Sequence, residues 1–345
     1  MPTEGIVTPL ATLFAEIEQA QMPEAIRTGT MQRRIPSDSM CDLFIGVQKP
    51  ANVRLLIARF DADVLPDGYD LPAFKSLDIQ VRRETEGTTE RLTATVRAPQ
   101  AAWNDIFTSL AEDIARAVGS QTSESEAARI FRSRLLQWQL LLQKTGTAGL
   151  TEEQQQGLYG ELWCLREIVL PALPSHSAVM AWTGPGGTDR DFQFVGAIAL
   201  EVKTTRSSGT PALSISSERQ LDDTGLQALY LLHLPLEKMQ GAGETLPQIV
   251  AVLRSLLRPN PLTMAIFEDR LLNAGYLETQ SALYQQTGYT THGINLYRVQ
   301  ESFPRIIPQE LLPGVGGVRY TISTAACQPF AADIHAFRTQ LGASE

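Results

Sequence analysis

The segment from Arg190 to Thr205, RDFQFVGAIALEVKTT, constrains the fold more than any other part of the chain. Most of it is β-branched, aromatic or small, the composition of a strand bound for a core. Yet it carries Asp191 near its start and Glu201 and Lys203 near its end. Alternate residues of a strand share a face. Ile198, Leu200 and Val202 therefore point to one side of IALEVK, and Ala199, Glu201 and Lys203 to the other. The two charged groups project together beside a small residue that leaves them room. Gly196 interrupts the run and predicts that DFQFV and AIALEVK form a tight hairpin or bulged ribbon, which returns Asp191 toward Glu201.

A further carboxylate comes from a helix. Thr151 and the acids after it signal a helix start, and GLYGELWCLREIVL continues to Pro171. At about 100° per residue, Leu158, Leu162, Leu165 and Val169 form one stripe, and Glu161 falls at its margin between Leu165 and Ile168. Burying an unpaired carboxylate costs several kcal/mol, so such a group is protonated, paired with a cation or bound to a metal. Glu167 lies opposite the stripe and reads as solvated, while Arg166 on the other edge suits either environment.

The rest of the chain sets this constellation in an α/β frame. From about Gln32 to Arg97, CDLFIGVQ, VRLLIARF, LDIQVRR and RLTATVRA read as short strands separated by turns, an antiparallel β lobe. Helical periodicity begins at Trp103 and runs through Ala117; a second helix is predicted from Glu124 to Lys144, with Ser123 as its N-cap. The linker GSQTSES between them suggests a lobe over residues 1–122 and a second domain over 123–345. In the latter, LQALYLLHLPLE, INLYRVQ and GVRYTIS read as strands, and LPQIVAVLRSLL and LTMAIFEDRLLNAGY as helices. Strands alternating with helices predict a mixed sheet flanked by helices.

Helix glutamate, then aspartate, then Glu-x-Lys on a strand is the order of the PD-(D/E)XK nuclease superfamily, which this chain resembles at Glu161, Asp191, Glu201 and Lys203. GLYGELWCL, AWTGP, the DF before EVK, and SSERQL after it resemble a bacterial family of PD-(D/E)XK motif proteins over most of the chain. The resemblance implies a restriction-endonuclease-like fold and a Mg²⁺-dependent DNA endonuclease, with Mn²⁺ able to substitute. It implies that Asp191, Glu201 and the Val202 carbonyl hold the ion, with Glu161 beside them, and that Lys203 acts on the attacking water and the charged transition state. It also implies a restriction or phage-defence setting, with DNA as substrate and protein partners or a second copy of the chain alongside. The literal Pro-Asp pair is absent, since Arg190 precedes Asp191, and Asp189 is a rival ligand. The resemblance also implies a polar residue near the scissile phosphate among Ser217, Glu218 and Gln220, for which Gln220 is the better candidate, with an exposed helix cap as the equal alternative; Arg206 is a candidate contact to backbone phosphate or a solvent-facing arginine.

Composition narrows the alternatives. A net charge of −9 is unlike that of a protein that coats nucleic acid, so phosphate contacts must come from local patches, Arg33 with Arg34, Arg82 with Arg83, or Arg206, or from a partner. His176, His233, His292 and His335 have no zinc-hydrolase spacing, no G-x-S-x-G elbow occurs, and the GPGG beside Trp182 lacks the lysine of a phosphate loop. We read GPGG as a turn, with it and Trp182 able to approach DNA. Cys41, Cys164 and Cys327 are too scattered for a metal site and fit a reducing, cytoplasmic compartment, and no apolar run is long enough for a membrane helix. The opposing reading is a nuclease-fold subunit without activity that binds DNA or protein as a scaffold.

Overall fold

Apolar alternation folds the first part of the chain into a meander. The computed structural model describes residues 9–20, 28–35, 40–65, 69, 71, 77–86, 89–146, 148–206 and 212–343. Helix α1 (Leu10–Gln19) is followed by β1 (Gly29–Arg34), β2 (Asp42–Lys49), β3 (Val53–Asp61), β4 (Asp78–Glu86) and β5 (Thr89–Arg97), then α2 (Asn104–Gly119) and α3 (Glu124–Thr145). The strands form an antiparallel sheet in the order β1-β2-β3-β5-β4. Helices α1 and α2 turn Leu13, Phe14, Ile17, Phe107, Leu110 and Ile114 inward. Ser123 caps α3 by accepting from Glu126 N at 3.2 Å.

The chain divides into two compact units, Met1–Ala148 and Gly149–Glu345. The first unit keeps α3, because Trp138 on α3 is buried and its Nε1 donates to Asp113 Oδ2 on α2 at 3.0 Å. The Gly- and Ser-rich linker at 119–125 is thus a turn between two packed helices, and the division between units comes after α3.

The second unit contains α4 (Glu152–Cys164), α5 (Ser175–Ala181), β6 (Phe192–Phe194), β7 (Ile198–Arg206), β8 (Ala212–Ile215), β9 (Ala228–Gln240) and β10 (Glu244–Thr245). It continues with α6 (Leu246–Leu257), α7 (Pro261–Ala274), β11 (Thr287–Thr291), β12 (Asn295–Val299), β13 (Tyr320–Ser323), α8 (Thr324–Cys327), β14 (Ala331–Ala332) and α9 (Ile334–Ala343). Strand β9 organises the mixed sheet. It runs parallel to β7 on Ile198↔Ala228 through Arg206↔Leu236, and antiparallel to β12 and β11, which follow one another along it. The expected ribbon is present: β6 pairs with β7 from Phe192↔Leu200 to Phe194↔Ile198, with Gly196 and Ala197 in the left-handed region at the turn.

Both faces of β7 are covered. Ile198, Leu200 and Val202 join the core shared with α4 and α6, and Ala199 joins a smaller core with β8, β12 and β13. A Cβ on Gly160 would meet Thr204 Cγ2 at 2.4 Å, so glycine allows α4 to lie close against β7. The helix does not continue regularly to Pro171: at Leu165–Val169 it widens to a π turn, with Leu170 N donating to Leu165 O at 2.9 Å. The α/β, restriction-endonuclease-like fold class expected from the sequence is the one adopted. Among the described residues, no helix is long and apolar enough to cross a membrane.

Candidate active site

The shortness of β6 creates the site. Its pairing with β7 ends at Leu200, so beyond that point the β7 edge lies open on this side. Val202 N, which would otherwise lack a partner, donates to Asp191 Oδ2 at 2.8 Å. Since one residue's N–H and C=O leave a strand on the same edge, the Val202 carbonyl faces the same opening. Asp191 is itself fixed through its backbone: its carbonyl accepts from Thr183 N at 2.8 Å and Gly184 N at 3.0 Å. The GPGG segment is a short 3₁₀ turn that holds this aspartate. A methyl group on Gly184 would stand 3.0 Å from Asp191 Oδ1 and 3.2 Å from Glu161 Oε2, so glycine leaves room for two carboxylates to converge.

Glu161 reaches that space from α4. Trp182, considered above for contact with DNA, is completely buried, and its Nε1 donates to Glu161 Oε2 at 2.7 Å. Glu201 is 1% exposed, and Lys203 Nζ lies 2.7 Å from its Oε1. That contact lacks hydrogen-bond angles, and neither Glu201 oxygen meets a donor in good geometry among the described residues. Lys203 instead donates to Gln220 Oε1 at 3.1 Å, which also accepts from Ser216 N at 2.9 Å.

The electrostatics follow from this crowding. Burial raises the Glu161 carboxyl well above its ordinary range, and the Asp191 charge adds to the effect against the Trp182 hydrogen bond. Burial also raises Asp191, opposed by Lys203 and the Val202 N–H. Glu201 is pushed up to about 8 by burial and then by Asp191, with Lys203 opposing. For Lys203, burial favours the neutral amine, but the charges of Glu201 and Asp191 outweigh it and the ammonium is stabilised.

A cleft of about 550 Å³ opens over Glu161, Asp191, Glu201 and Lys203, and Gln220 and Arg206 line it too. The structure therefore brings together the residues singled out from the sequence. Asp189 is exposed, outside this cluster. Arg206 is at the rim, 69% exposed and 3.8 Å from Glu152. Glu218 is buried for another purpose, accepting from Gly317 N at 3.3 Å and Val318 N at 2.8 Å. Arg166 lies between Glu167 and Glu244. Sequence reasoning did not assign Trp182 to Glu161, or His233 to the strand beside Lys203; a histidine inside the apolar run LYLLHLPL was the available signal for the latter.

A family model described as "Putative PD-(D/E)XK family member, (DUF4420)" matches residues 10–325. The chain belongs to that family. No curated protein and no solved structure matches it. As a member of a PD-(D/E)XK family, the chain differs from the literal motif in placing Pro185 in the turn that holds Asp191 instead of directly before it. No three His, Cys, Asp or Glu side chains among the described residues form a ready-made metal cage. The donor set nevertheless suits a hard cation that takes one or two carboxylates and fills its shell with water and phosphate. Glu201 offers two buried oxygens, one of them 2.7 Å from the Lys203 ammonium, and Asp191 shares the same space with Glu161.

Proposed function

We propose that the second unit is a divalent-metal-dependent DNA endonuclease, using Mg²⁺ with Mn²⁺ as a substitute, in a bacterial restriction or phage-defence system. The observation that carries this reading is the convergence of Glu161, Asp191 and Glu201 on one cleft: burial and then the Asp191 charge raise the affinity of Glu161 and Glu201 for positive charge, and Lys203 is the cation placed among them. Asp191, Glu201 and the Val202 carbonyl would hold the ion, with Glu161 beside Asp191. When bound, such an ion acts as Lewis acid and as template for water and phosphate.

The chain's own residues supply position and charge. The Val202 N–H fixes the Asp191 carboxylate, and Trp182 fixes Glu161, so neither must reorganise when substrate arrives. Gln220 holds Lys203 in place. Because its neighbouring carboxylates favour the ammonium, Lys203 acts by donating hydrogen bonds and by offsetting negative charge as water adds to phosphorus. The P–O3′ bond then breaks, leaving a 5′-phosphate and a 3′-hydroxyl. An acidic chain can engage DNA when a partner subunit or a second copy supplies the phosphate contacts that bulk charge does not.

The test is incubation with Mg²⁺ or Mn²⁺ and supercoiled, linear, methylated or single-stranded DNA, alongside Lys203→Ala and Asp191→Ala. Cleavage by the natural chain and its loss in both variants supports the reading. Equal cleavage by the variants removes the assignment, and no cleavage with or without genomic-neighbour proteins favours the inactive scaffold.

A further inference from the structure

The cleft continues past Lys203 along β7, where the next residue on that face is Thr205. A buried polar row supports it from behind. Thr205 Oγ1 lies 2.7 Å from His233 Nε2, and His233 Nδ1 lies 3.4 Å from Asn295 Nδ2. His233 is 2% exposed. It pairs in register with Lys203 on the parallel side and with Asn295 on the antiparallel side, so three adjacent strands each contribute one member.

The donors in this row can be ordered. Burial pushes His233 down to about 4, so the ring is neutral, with one donor and one acceptor nitrogen. Asn295 Nδ2 carries only donors and faces Nδ1, so with the amide in this orientation Nδ1 accepts. The ring proton is then on Nε2 and is donated to Thr205 Oγ1. A hydroxyl that accepts in this way keeps its own proton to give, and Thr205 lines the cleft. The neighbouring Thr204 is held alike: its Oγ1 accepts from Gln156 Nε2 at 3.1 Å, and both residues border the cleft. The cations at this end are otherwise engaged, since Lys238 and Arg206 lie 2.7 and 3.8 Å from Glu152.

We propose that Thr205 is a neutral phosphate-binding residue: its hydroxyl, aligned by Asn295 and His233, donates to a nonbridging oxygen of the phosphate next to the one at Lys203. This rests on the nuclease reading above. Residues two apart on a strand are about 6.6 Å apart, a step comparable to that between neighbouring phosphates of one nucleic-acid strand. An uncharged donor also suits a site crowded with carboxylates, because it adds no cation for Glu201 or Asp191 to capture.

The test uses binding of a fluorescent DNA duplex to the full chain in Ca²⁺, read by anisotropy over a salt series, together with long-range ¹H–¹⁵N NMR of the histidine rings. Thr205→Val should weaken binding about ten- to 150-fold, the range for a hydrogen bond to a charged acceptor, and Thr205→Ser should restore it. The slope of affinity against salt should be unchanged, whereas loss of a cationic contact would lower it by about one ion. Asn295→Asp should move the ring proton to Nδ1, so that Nε2 accepts from Thr205, and should weaken binding as Thr205→Val does. Equal binding by Thr205→Val overturns the subsite alone, and an Nδ1–H ring in the natural chain overturns its alignment. Failure of the natural chain to bind DNA overturns both the subsite and the reading on which it rests.

Discussion

Arg54 in the first unit and Glu201 in the second are both charged side chains withdrawn from water, and the protein treats them in opposite ways. Arg54 is 11% exposed, and four of its five N–H groups have acceptors. It donates to Glu18 Oε1 at 2.8 Å and Oε2 at 3.2 Å, to Asn104 O at 3.3 Å and to Thr108 Oγ1 at 2.5 Å, and it stacks 4.9 Å over Phe14. Glu201 is more deeply buried and, among the described residues, has the Lys203 ammonium as neighbour, no well-aligned donor, and Asp191 beside it. A buried charge supplied with partners on every side fits a structural role, whereas a buried carboxylate short of donors is the one that gains from an added cation.

The contrast can be broken most forcefully at Arg54. Arg54→Met strands Glu18 and should cost the first unit about 3–5 kcal/mol in denaturant unfolding, the cost of removing one partner of a buried pair. Glu201→Gln should do the reverse. It should cut cleavage by about 10²–10³-fold, while leaving the metal-free chain as stable as before or about 1 kcal/mol more so. A divalent cation should raise the melting temperature of the natural chain and have no such effect on Glu201→Gln. Unfolding of Glu201→Gln would show that this charge, too, is structural.

His233 sharpens the comparison as a third solution, a buried titratable group kept neutral. Its folded-state value of about 4 lies below the value of about 6.5 for a free histidine. Between these values the unfolded chain binds more protons, so stability is complete above about pH 6.5 and falls as pH drops toward about 4. The expected loss over that window is about 3 kcal/mol, read by urea titrations at each pH. His233→Gln should flatten this contribution even if it lowers stability at every pH.

Much of this was legible in the sequence because it depended on local periodicity. Alternation placed Glu201 and Lys203 on one face of β7, and helical spacing placed Glu161 at the margin of a buried stripe. Gly196 marked the hairpin, and Gln220, singled out through the family resemblance, accepts from Lys203. The illegible features depend on which distant segments become neighbours. Trp182 reaches Glu161 only because the chain turns back at Gly184, and His233 meets Asn295 and Thr205 only because β9 lies between β7 and β12. Arg54 looks like one more strand arginine until α1 and α2 supply its acceptors. The linker at 119–125 shows why composition alone misleads about boundaries: glycine and serine permit a turn, and burial of Trp138 determines that α3 stays with α2.

The smallest effect is expected where charges are paired in water. Glu152 begins α4 at the rim of the cleft, 66% exposed, with Lys238 at 2.7 Å and Arg206 at 3.8 Å. The Lys238 ammonium holds its carboxyl below the usual range through a hydrogen bond and charge. Such an exposed pair contributes little to folding, because water screens it and both side chains lose freedom. Glu152→Gln should therefore leave the unfolding midpoint unchanged. It should release Lys238 and Arg206 toward the cleft, tightening DNA binding by about two- to threefold at low salt and steepening the salt dependence by about one to two ions. A fall in the midpoint would make Glu152 resemble Glu18, a structural acid. A gain in affinity without a steeper salt slope would mean that the released cations do not reach phosphate, and that the uncharged donors further along β7 carry this end of the cleft.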